Sequence, residues 1–233
     1  MRCLQVQAKI TVNPKTVQLK PRNETQAHYI KLLNCPKTDI VIANGCVGSG
    51  KSYVAVCNSM EKLLSEEASK IIITRPMISV ENKDFGALPG DLISKTMPFM
   101  LPIYDNMHRY VSPKKLKTLI EDNIIEICPL IHMRGRSFEN TILIADEMQN
   151  STIAQMMMLL TRIDKNSKFI ITGDTSQYDV IHNESGLVDV LDKLYFNPQE
   201  GIEVVQFEDS DIVRHPIIKK VLKLYNTTGS TQV

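Results

Sequence analysis

Eight residues, from Gly45 to Ser52, place three glycines and a Lys-Ser pair in the pattern G-x-x-x-x-G-K-[ST]. Glycines let consecutive backbone N–H groups turn towards the oxygens of a bound phosphate. Lys51 would reach the β- and γ-phosphates of a nucleotide, and the Ser52 hydroxyl would bind the magnesium ion that bridges them. The pattern therefore predicts a site for ATP and Mg²⁺.

The surroundings of this run are those that a phosphate-binding loop needs. An apolar stretch, 40–43, precedes it as a predicted strand, and the helical pattern of 53–64 follows, so a phosphate would lie at a helix N-terminus, which favours negative charge. Gln26, in an earlier helix, is placed to hydrogen-bond an adenine edge, although it also closes the capping-box pattern of 23–26. The residues expected to bind the nucleotide are Gln26, Gly45, Cys46, Val47, Gly48, Ser49, Gly50, Lys51, Ser52 and Tyr53.

Two carboxylates follow the apolar run 141–145, at the carboxyl end of a predicted parallel strand, where α/β sheets place their ligands. Asp146 would join Ser52 in holding the magnesium ion, acting through the water shell of the metal. Glu147 would be the general base that orients and polarises the attacking water. An acidic pair in this position is also typical of a helix N-cap. Its presence in one chain with the phosphate-binding pattern favours the catalytic interpretation.

A third predicted strand, 169–172, is followed by the run Gly173-Asp174-Thr175-Ser176-Gln177. We expect the Gln177 amide to sense the γ-phosphate or its attacking water, and Asp174 to couple that state to neighbouring loops. Gly-Asp after a strand is also a common turn. Phosphoryl transfer further needs positive charge for its transition state, commonly from an arginine. Arg214 is the first choice for this arginine and Arg136 the second, with a surface ion pair as the alternative role of each. The predicted catalytic residues are Lys51, Glu147, Gln177 and Arg214.

Composition predicts one α/β domain that spans 1–233, with 43% hydrophobic and 23% charged residues. No apolar stretch approaches the roughly 20 residues that cross a bilayer, and the five scattered cysteines are typical of reduced thiols, so we expect a cytoplasmic protein without a membrane partner. The net charge of +1 restricts any nucleic-acid site to a local basic patch. Candidate patches are 114–117, the pair Arg134 and Arg136, and 219–223, each of which also fits a solvated surface.

Apolar runs alternate with helical patterns along the chain, which is typical of a parallel sheet covered on both faces. The region 76–111 interrupts this rhythm with four prolines, and we interpret it as an insertion of short helices packed against the edge of the sheet. The polar tail 226–233 is predicted to be disordered. Predicted strands are 40–43, 70–74, 124–128, 141–145, 169–172 and 202–206, and predicted helices are 23–33, 51–64, 151–163, 185–194 and 216–225.

Six motifs besides the phosphate-binding run, in order along the chain, resemble those of the PhoH family. These phosphate-starvation-inducible ATPases are related to the first RecA-like lobe of superfamily 1 helicases. The resemblance implies a three-layer, RecA-like P-loop NTPase with a mostly parallel sheet. Cys46-Val47 stand where the family more often has Pro-Ala, and Ser52 replaces Thr, which should leave phosphate binding intact. The motifs are Thr74-Arg75-Pro76, 86–92 (GALPGDL), 133–136 (MRGR), 146–150 (DEMQN), 172–174 (TGD) with Gln177, and 213–216 (VRHP).

The resemblance also implies ATP hydrolysis linked to RNA unwinding or RNA metabolism. The chain is similar to the short, core-only forms carried by bacteriophages. Superfamily 1 helicases close their ATP site with a second lobe, so we expect a neighbouring subunit to complete the site in a closed hexameric ring, with Arg214 at the interface. Single-stranded nucleic acid, RNA rather than DNA, would be held through its phosphates. The residues expected near it are Thr74, Arg75, Arg134 and Arg136, with the proline-rich insertion.

Two other functions fit the same phosphate-binding pattern. A small-molecule kinase would move the γ-phosphate to a nucleoside or nucleotide, and would show phosphate transfer instead of phosphate release. A nucleotide-gated assembly protein would bind ATP with negligible turnover even when nucleic acid is present. The pair of Asp174 and Gln177 disfavours the kinase, and Glu147 disfavours the assembly protein.

Overall fold

A computed structural model describes residues 18–76, 92–177 and 185–213 of the 233-residue chain. The predicted helix 216–225, the polar tail 226–233, Arg214 and part of the insertion lie outside the described residues. The strands are β1 (Ile40–Gly45), β2 (Lys70–Thr74), β3 (Ile125–Ile127), β4 (Thr141–Ala145), β5 (Lys168–Gly173) and β6 (Ile202–Phe207). The helices are α1 (Glu24–Asn34), α2 (Lys51–Leu64), α3 (Leu92–Met107), α4 (Pro113–Glu121), α5 (Ile153–Leu160) and α6 (Gly186–Phe196).

The six strands form one sheet in the order β3-β2-β4-β5-β1-β6, and every described pair is parallel. The predicted α/β fold with a parallel sheet is confirmed. The central strands β1 and β4 are buried along their whole length because both of their faces are covered, as is usual for parallel sheets. Strand β4 is separated from β1 by β5 alone, so the carboxyl ends of these three strands lie side by side.

Side chains that alternate along β1 show the two covered faces. Val41 and Ala43 belong to the core that also contains buried residues of α1, α2, α3 and α4. Ile40 and Ile42 belong to a second core, formed with buried residues of α5 and α6. Successive side chains of a strand point to opposite faces, so this division shows helices on both sides of the sheet. The three-layer architecture is confirmed.

Helix α3 lies in the region that the sequence predicts to be an insertion of short helices. It is instead one continuous helix of 16 residues, and it contacts α2 rather than only the edge of the sheet. Met100, Ile103 and Met107 are buried in the core beside α2, at a spacing that puts them on one face of a helix. This packing holds the helix together through Pro98 and Pro102, which would weaken an isolated helix.

Helix α4 is not among the predicted helices. The sequence indicates only a candidate basic patch for nucleic acid at 114–117. Ser112 begins the helix as its N-cap by accepting a hydrogen bond from the Lys115 N–H, and Pro113 occupies the first turn. Leu116 and Leu119 are buried on its inner face. Among the described residues, no helix is both long and apolar enough to cross a membrane.

Glu126, on the edge strand β3, receives three hydrogen-bonding contacts from basic residues. Arg136 donates from Nη1 at 2.6 Å and from Nη2 at 3.0 Å, and Lys70 Nζ lies 2.6 Å from Oε2. The Arg136 guanidinium also lies over the Phe138 ring, 4.9 Å from its centroid. The hydrogen bonds from Arg136, and then those from Lys70, lower the pKa of Glu126 to about 2. This ion-pair cluster fastens the edge of the sheet to the segment that follows β3.

We expect Glu126→Gln to lower the free energy of unfolding at pH 7 by about 1–2 kcal/mol, after allowance for screening by solvent around the partly exposed partners. The folded-state pKa of Glu126 is depressed below its ordinary value of 4.5, so the stabilisation is present above that value and is lost as the pH falls towards about 2. Urea unfolding at pH 7, pH 4 and pH 3 measures the free energy of unfolding of both proteins. The difference between wild type and variant should become smaller as the pH falls. Glu121→Gln is the control, because its pair with Lys117 is exposed. An equal effect of both substitutions at pH 7 would contradict the prediction.

Candidate nucleotide site

Three neighbouring strand tips surround one cavity at the carboxyl edge of the sheet. The tip of β1 continues into the phosphate-binding loop, that of β4 into Asp146 and Glu147, and that of β5 into Asp174. The cavity has a volume of about 290 Å³, at the small end of the range for ligand sites. The structure thus brings together the main groups that the sequence predicts to act on a nucleotide. The lining residues used below are Lys51, Ser52, Tyr53, Arg75, Asp146, Glu147 and Asp174.

Two glycines of the loop are required by their surroundings. Gly45 has φ +131°, and an added Cβ would lie 2.0 Å from the carbonyl oxygen of Phe207 on β6. Gly50 has φ +90°, and an added Cβ would lie 2.7 Å from the Gln26 side chain. A side chain at either position would combine an unfavourable backbone conformation with a steric clash. The sequence pattern therefore reflects close approach by β6 and α1 as well as space for phosphate.

Lys51 is buried, and its ammonium lies over the loop. It donates hydrogen bonds to the carbonyl oxygens of Gly45 at 2.5 Å and Cys46 at 2.8 Å. Burial lowers the pKa of Lys51, and the negative charges of the site, Asp174 first, partly oppose that effect. The loop therefore holds a positive charge in place where the phosphates of a nucleotide are expected.

Asp146 and Ser52 form the pair that was predicted to bind magnesium. The Ser52 hydroxyl donates to Asp146 Oδ1 at 2.6 Å, and the Thr172 hydroxyl donates to the same oxygen at 2.5 Å. Mg²⁺ prefers oxygen ligands and is commonly held by one or two carboxylates together with substrate phosphates and water. A hydroxyl and a carboxylate at the end of the loop fit that ligand set. Among the described residues, no cluster of three His, Cys, Asp or Glu side chains offers a metal site made of protein groups alone.

Glu147 is held in place on both of its carboxylate oxygens. Arg75 Nη2 lies 3.2 Å from Oε1, and the Gln149 amide donates to Oε2 at 2.6 Å. The Glu147 backbone is left-handed, with φ 57° and ψ 39°, a conformation that non-glycine residues adopt rarely and that is concentrated at functional sites. The predicted general base therefore has a fixed direction towards the cavity that it lines.

Gln149 connects this base to the tip of β5. Besides donating to Glu147, it accepts a hydrogen bond from the Asp174 N–H at 3.2 Å, and it is buried. The approach is so close that a Cβ added at Gly173 would lie 2.8 Å from Gln149 Oε1. Neither Gln149 nor Arg75 is among the residues that the sequence predicts to bind or act on the nucleotide. The signal available was position, since Arg75 directly follows β2 and Gln149 lies four residues after β4.

A second amide holds the β5 tip from the other side. Asn44, buried near the end of β1, donates to the Thr175 hydroxyl at 3.0 Å and accepts from the Thr175 N–H at 3.1 Å. It also donates to Gln206 of β6 at 2.9 Å. Gln177 belongs to the same tip, but its side chain is exposed, so its contact with a γ-phosphate stays a prediction.

Gln26 braces the loop in this structure. Its amide donates to the Ser49 carbonyl oxygen at 2.7 Å and accepts from the Arg22 N–H at 2.9 Å. Asn23 caps α1 by accepting from the Gln26 N–H, as the sequence predicts. Because both ends of the Gln26 side chain are engaged, its contact with adenine remains a prediction that requires one of these bonds to be exchanged. Tyr53 lines the cavity, with the Arg109 guanidinium 5.4 Å from its ring centroid.

The segment that follows β6 lies against the phosphate-binding loop. The Val213 N–H donates to the Gly48 carbonyl oxygen at 3.1 Å, and the Cys46 thiol donates to the Glu208 carbonyl oxygen at 3.1 Å. Asn23 donates to the Asp211 carbonyl oxygen at 3.1 Å, which ties the same segment to α1. These bonds fasten the segment that follows β6 both to the loop and to α1.

The four residues predicted to meet nucleic acid lie in different environments. Thr74 is fully buried at the end of β2, so in this structure its side chain is not available to a nucleic acid. Arg75 pairs with Glu147 in the cavity, and Arg136 pairs with Glu126, so the guanidinium groups of both are engaged within the chain. Arg134 is the one of the four whose side chain is exposed. The contacts place Arg75 beside the predicted general base and Arg136 in an ion pair at the sheet edge, and the role of both towards a nucleic acid stays a prediction.

The site and fold are accompanied by sequence similarity over most of the chain. A family model described as PhoH-like protein matches residues 18–226. The PhoH-like protein of Bacillus subtilis (strain 168) is 38% identical over 93% of this chain and 67% of its own length. Protein PhoH of Escherichia coli (strain K12) is 36% identical over 91% of this chain and 59% of its own length. A crystal structure of the DUF1998 helicase MrfA bound to DNA has a TM-score of 0.45 and 11% identity, over 79% of this chain and 27% of that one.

Proposed function

Since the chain belongs to the PhoH family, we propose that it is a Mg²⁺-dependent ATPase that couples ATP hydrolysis to the binding or remodelling of single-stranded nucleic acid. The convergence of Lys51, the Ser52–Asp146 pair and Glu147 on one cavity carries this proposal. The chain spans about two thirds or less of the length of the relatives compared above. The activity is therefore a proposal for this chain and is not carried over from those longer proteins.

The geometry supports a direct attack of water on the γ-phosphate. Lys51 and the loop N–H groups hold the phosphates, and a magnesium ion at Ser52 and Asp146 would neutralise their charge. Glu147, fixed by Arg75 and Gln149, accepts a proton from the water as the water oxygen bonds to the γ-phosphorus. The bond between that phosphorus and the bridging oxygen breaks, and ADP leaves with the electron pair. Arg75 contributes positive charge beside the reacting groups.

RNA rather than DNA is the proposed nucleic acid, and phosphate contacts are expected to supply most of the affinity. Exposed basic side chains that support such contacts are Arg134 and, on α4, Lys114 and Lys117. Single-strand binding through phosphates releases counterions, so affinity should fall with rising salt. Because the chain is nearly neutral overall, we expect nucleic acid to bind at a local basic patch.

A hexameric ring is the proposed assembly, with a neighbouring subunit completing the ATP site. The sequence places Arg214 directly after Val213, whose N–H is bonded to the phosphate-binding loop. That proximity supports Arg214 as the residue that acts at, or braces, the interface. Light scattering in the presence of nucleotide measures the subunit number directly.

We expect the chain to release phosphate from ATP only with Mg²⁺ present, and to do so faster when single-stranded RNA is added. The measurement compares phosphate release with no addition, with single-stranded RNA, with single-stranded DNA and with a set of nucleosides. A labelled γ-phosphate recovered on a nucleoside would instead establish the kinase. ATP binding without turnover in any of the mixtures would establish the nucleotide-gated assembly protein.

A further inference from the structure

Asp174, the first residue after β5, is a buried carboxylate with one oxygen that lacks a partner. The side chain is 3% exposed. Its Oδ1 accepts hydrogen bonds from the Ser176 N–H at 3.0 Å and the Ser176 hydroxyl at 2.5 Å. Its Oδ2 has no hydrogen-bond partner among the residues that the structure describes. A buried carboxylate oxygen without a donor is costly, so a native structure supplies one from a ligand or an ordered water.

Asp174 is one of the residues that line the nucleotide cavity, together with Lys51, Ser52 and Glu147. Of the negative charges that act on Lys51, that of Asp174 has the largest effect on the Lys51 pKa, ahead of Glu147 and Asp146. The carboxylate is therefore close to the place where the γ-phosphate is expected.

The position of this carboxylate is fixed by the backbone on both sides of it. Gln149 accepts from the Asp174 N–H, and Asn44 makes two hydrogen bonds to Thr175. Since Ser176 holds Oδ1, the side chain cannot turn to bring Oδ2 to a protein donor without breaking these contacts. An oxygen fixed in this way is suited to position a small donor in the cavity.

We propose that Asp174 Oδ2 accepts a hydrogen bond from a water molecule at the γ-phosphate end of the cavity, which makes Asp174 a third carboxylate of the site beside Asp146 and Glu147. The inference rests on the proposed ATPase function. The water is either part of the hydration shell of the magnesium ion or the water that attacks phosphorus. Both are O–H donors, and they differ in what the loss of Asp174 would change.

The test replaces Asp174 by asparagine, which keeps the shape and an acceptor for Ser176 but removes the charge and offers an N–H group at the Oδ2 position. Asp192→Asn, on an exposed position of α6, is the control. Steady-state ATP hydrolysis gives kcat and KM, and titration of Mg²⁺ against binding of a fluorescent non-hydrolysable ATP analogue gives the Mg²⁺ requirement. We expect kcat to fall about 10- to 100-fold in Asp174→Asn, as for loss of a hydrogen bond to a charged group, with a smaller change in KM.

The two sources of water give different results. A water of the magnesium shell predicts a higher Mg²⁺ requirement for analogue binding together with the lower kcat. An attacking water predicts a lower kcat with an unchanged Mg²⁺ requirement. If kcat and the Mg²⁺ requirement of Asp174→Asn both equal those of Asp192→Asn, the inference is wrong. If the wild type hydrolyses no ATP, the proposed function fails by itself, and the role of Asp174 is decided by whether a water lies on its Oδ2 in a crystal structure with the ATP analogue and Mg²⁺.

A measurement on the wild-type chain covers the case in which the variant does not fold. A crystal structure with the ATP analogue and Mg²⁺ should contain a water within about 3 Å of Asp174 Oδ2. A protein donor on that oxygen, in place of water, would overturn the inference.

Discussion

Replacing Lys51 by alanine is expected to reduce kcat/KM for ATP by roughly 30- to 5000-fold, because truncation of a buried, hydrogen-bonded charge costs about 2–5 kcal/mol. The Lys51 ammonium is fixed by the Gly45 and Cys46 carbonyl oxygens, so its charge is already in place when phosphates arrive. The substitution also removes the group that is predicted to contact the β- and γ-phosphates. ATP binding, measured by calorimetry, should weaken together with turnover.

The same substitution should leave the fold intact. Burial already lowers the pKa of Lys51, which means that the charged form is held at a cost in the folded state. Thermal unfolding without nucleotide should therefore show no loss of stability in Lys51→Ala. Lys31→Ala, at an exposed position of α1, is the matched control for loss of a lysine. Undiminished hydrolysis by Lys51→Ala would exclude the phosphate-binding assignment.

Replacing Glu147 by glutamine is expected to lower kcat by about 10²- to 10⁴-fold, the usual contribution of a positioned general base. A glutamine amide has nearly the same shape but cannot accept the proton of the attacking water. It has one oxygen where the carboxylate has two, so it can keep an acceptor towards either Arg75 or Gln149, but not towards both. Single-turnover hydrolysis, measured by quenched flow, reports this loss without interference from product release.

Nucleotide binding should survive this substitution, because the phosphates are held by the loop and Lys51. The Kd for ATP of Glu147→Gln should therefore stay close to that of the wild type, in contrast with Lys51→Ala. Glu139→Gln, at an exposed position before β4, is the control. If Glu147→Gln hydrolyses ATP at the wild-type rate, another group is the general base. Asp174 would be the first candidate to test.

The positions of the candidate catalytic groups were predictable because they follow apolar strands. A buried parallel strand is recognisable from a short continuous apolar run, and ligands lie at its carboxyl end. Strands β1, β4 and β5 were predicted to within a residue or two at each end, and Lys51, Asp146 and Glu147 followed from them. The structure brings these three residues to one cavity, as expected.

The partners of these groups were not predictable from local pattern. Gln149 and Asp174 are 25 residues apart, and Asn44 and Thr175 are 131 apart, so neither hydrogen bond leaves a trace in sequence spacing. The roles of Arg75 and Arg136 depended on which carboxylate each would meet. Helix α3 was divided in the prediction because prolines weaken helices locally, whereas packing against α2 keeps it continuous.

The bond between the Val213 N–H and the Gly48 carbonyl oxygen has a mechanical consequence. A phosphate that reshapes the loop would pull on, or release, the backbone one residue before Arg214. Occupancy of the cavity would thereby be communicated to the backbone that follows β6, without any movement of the sheet.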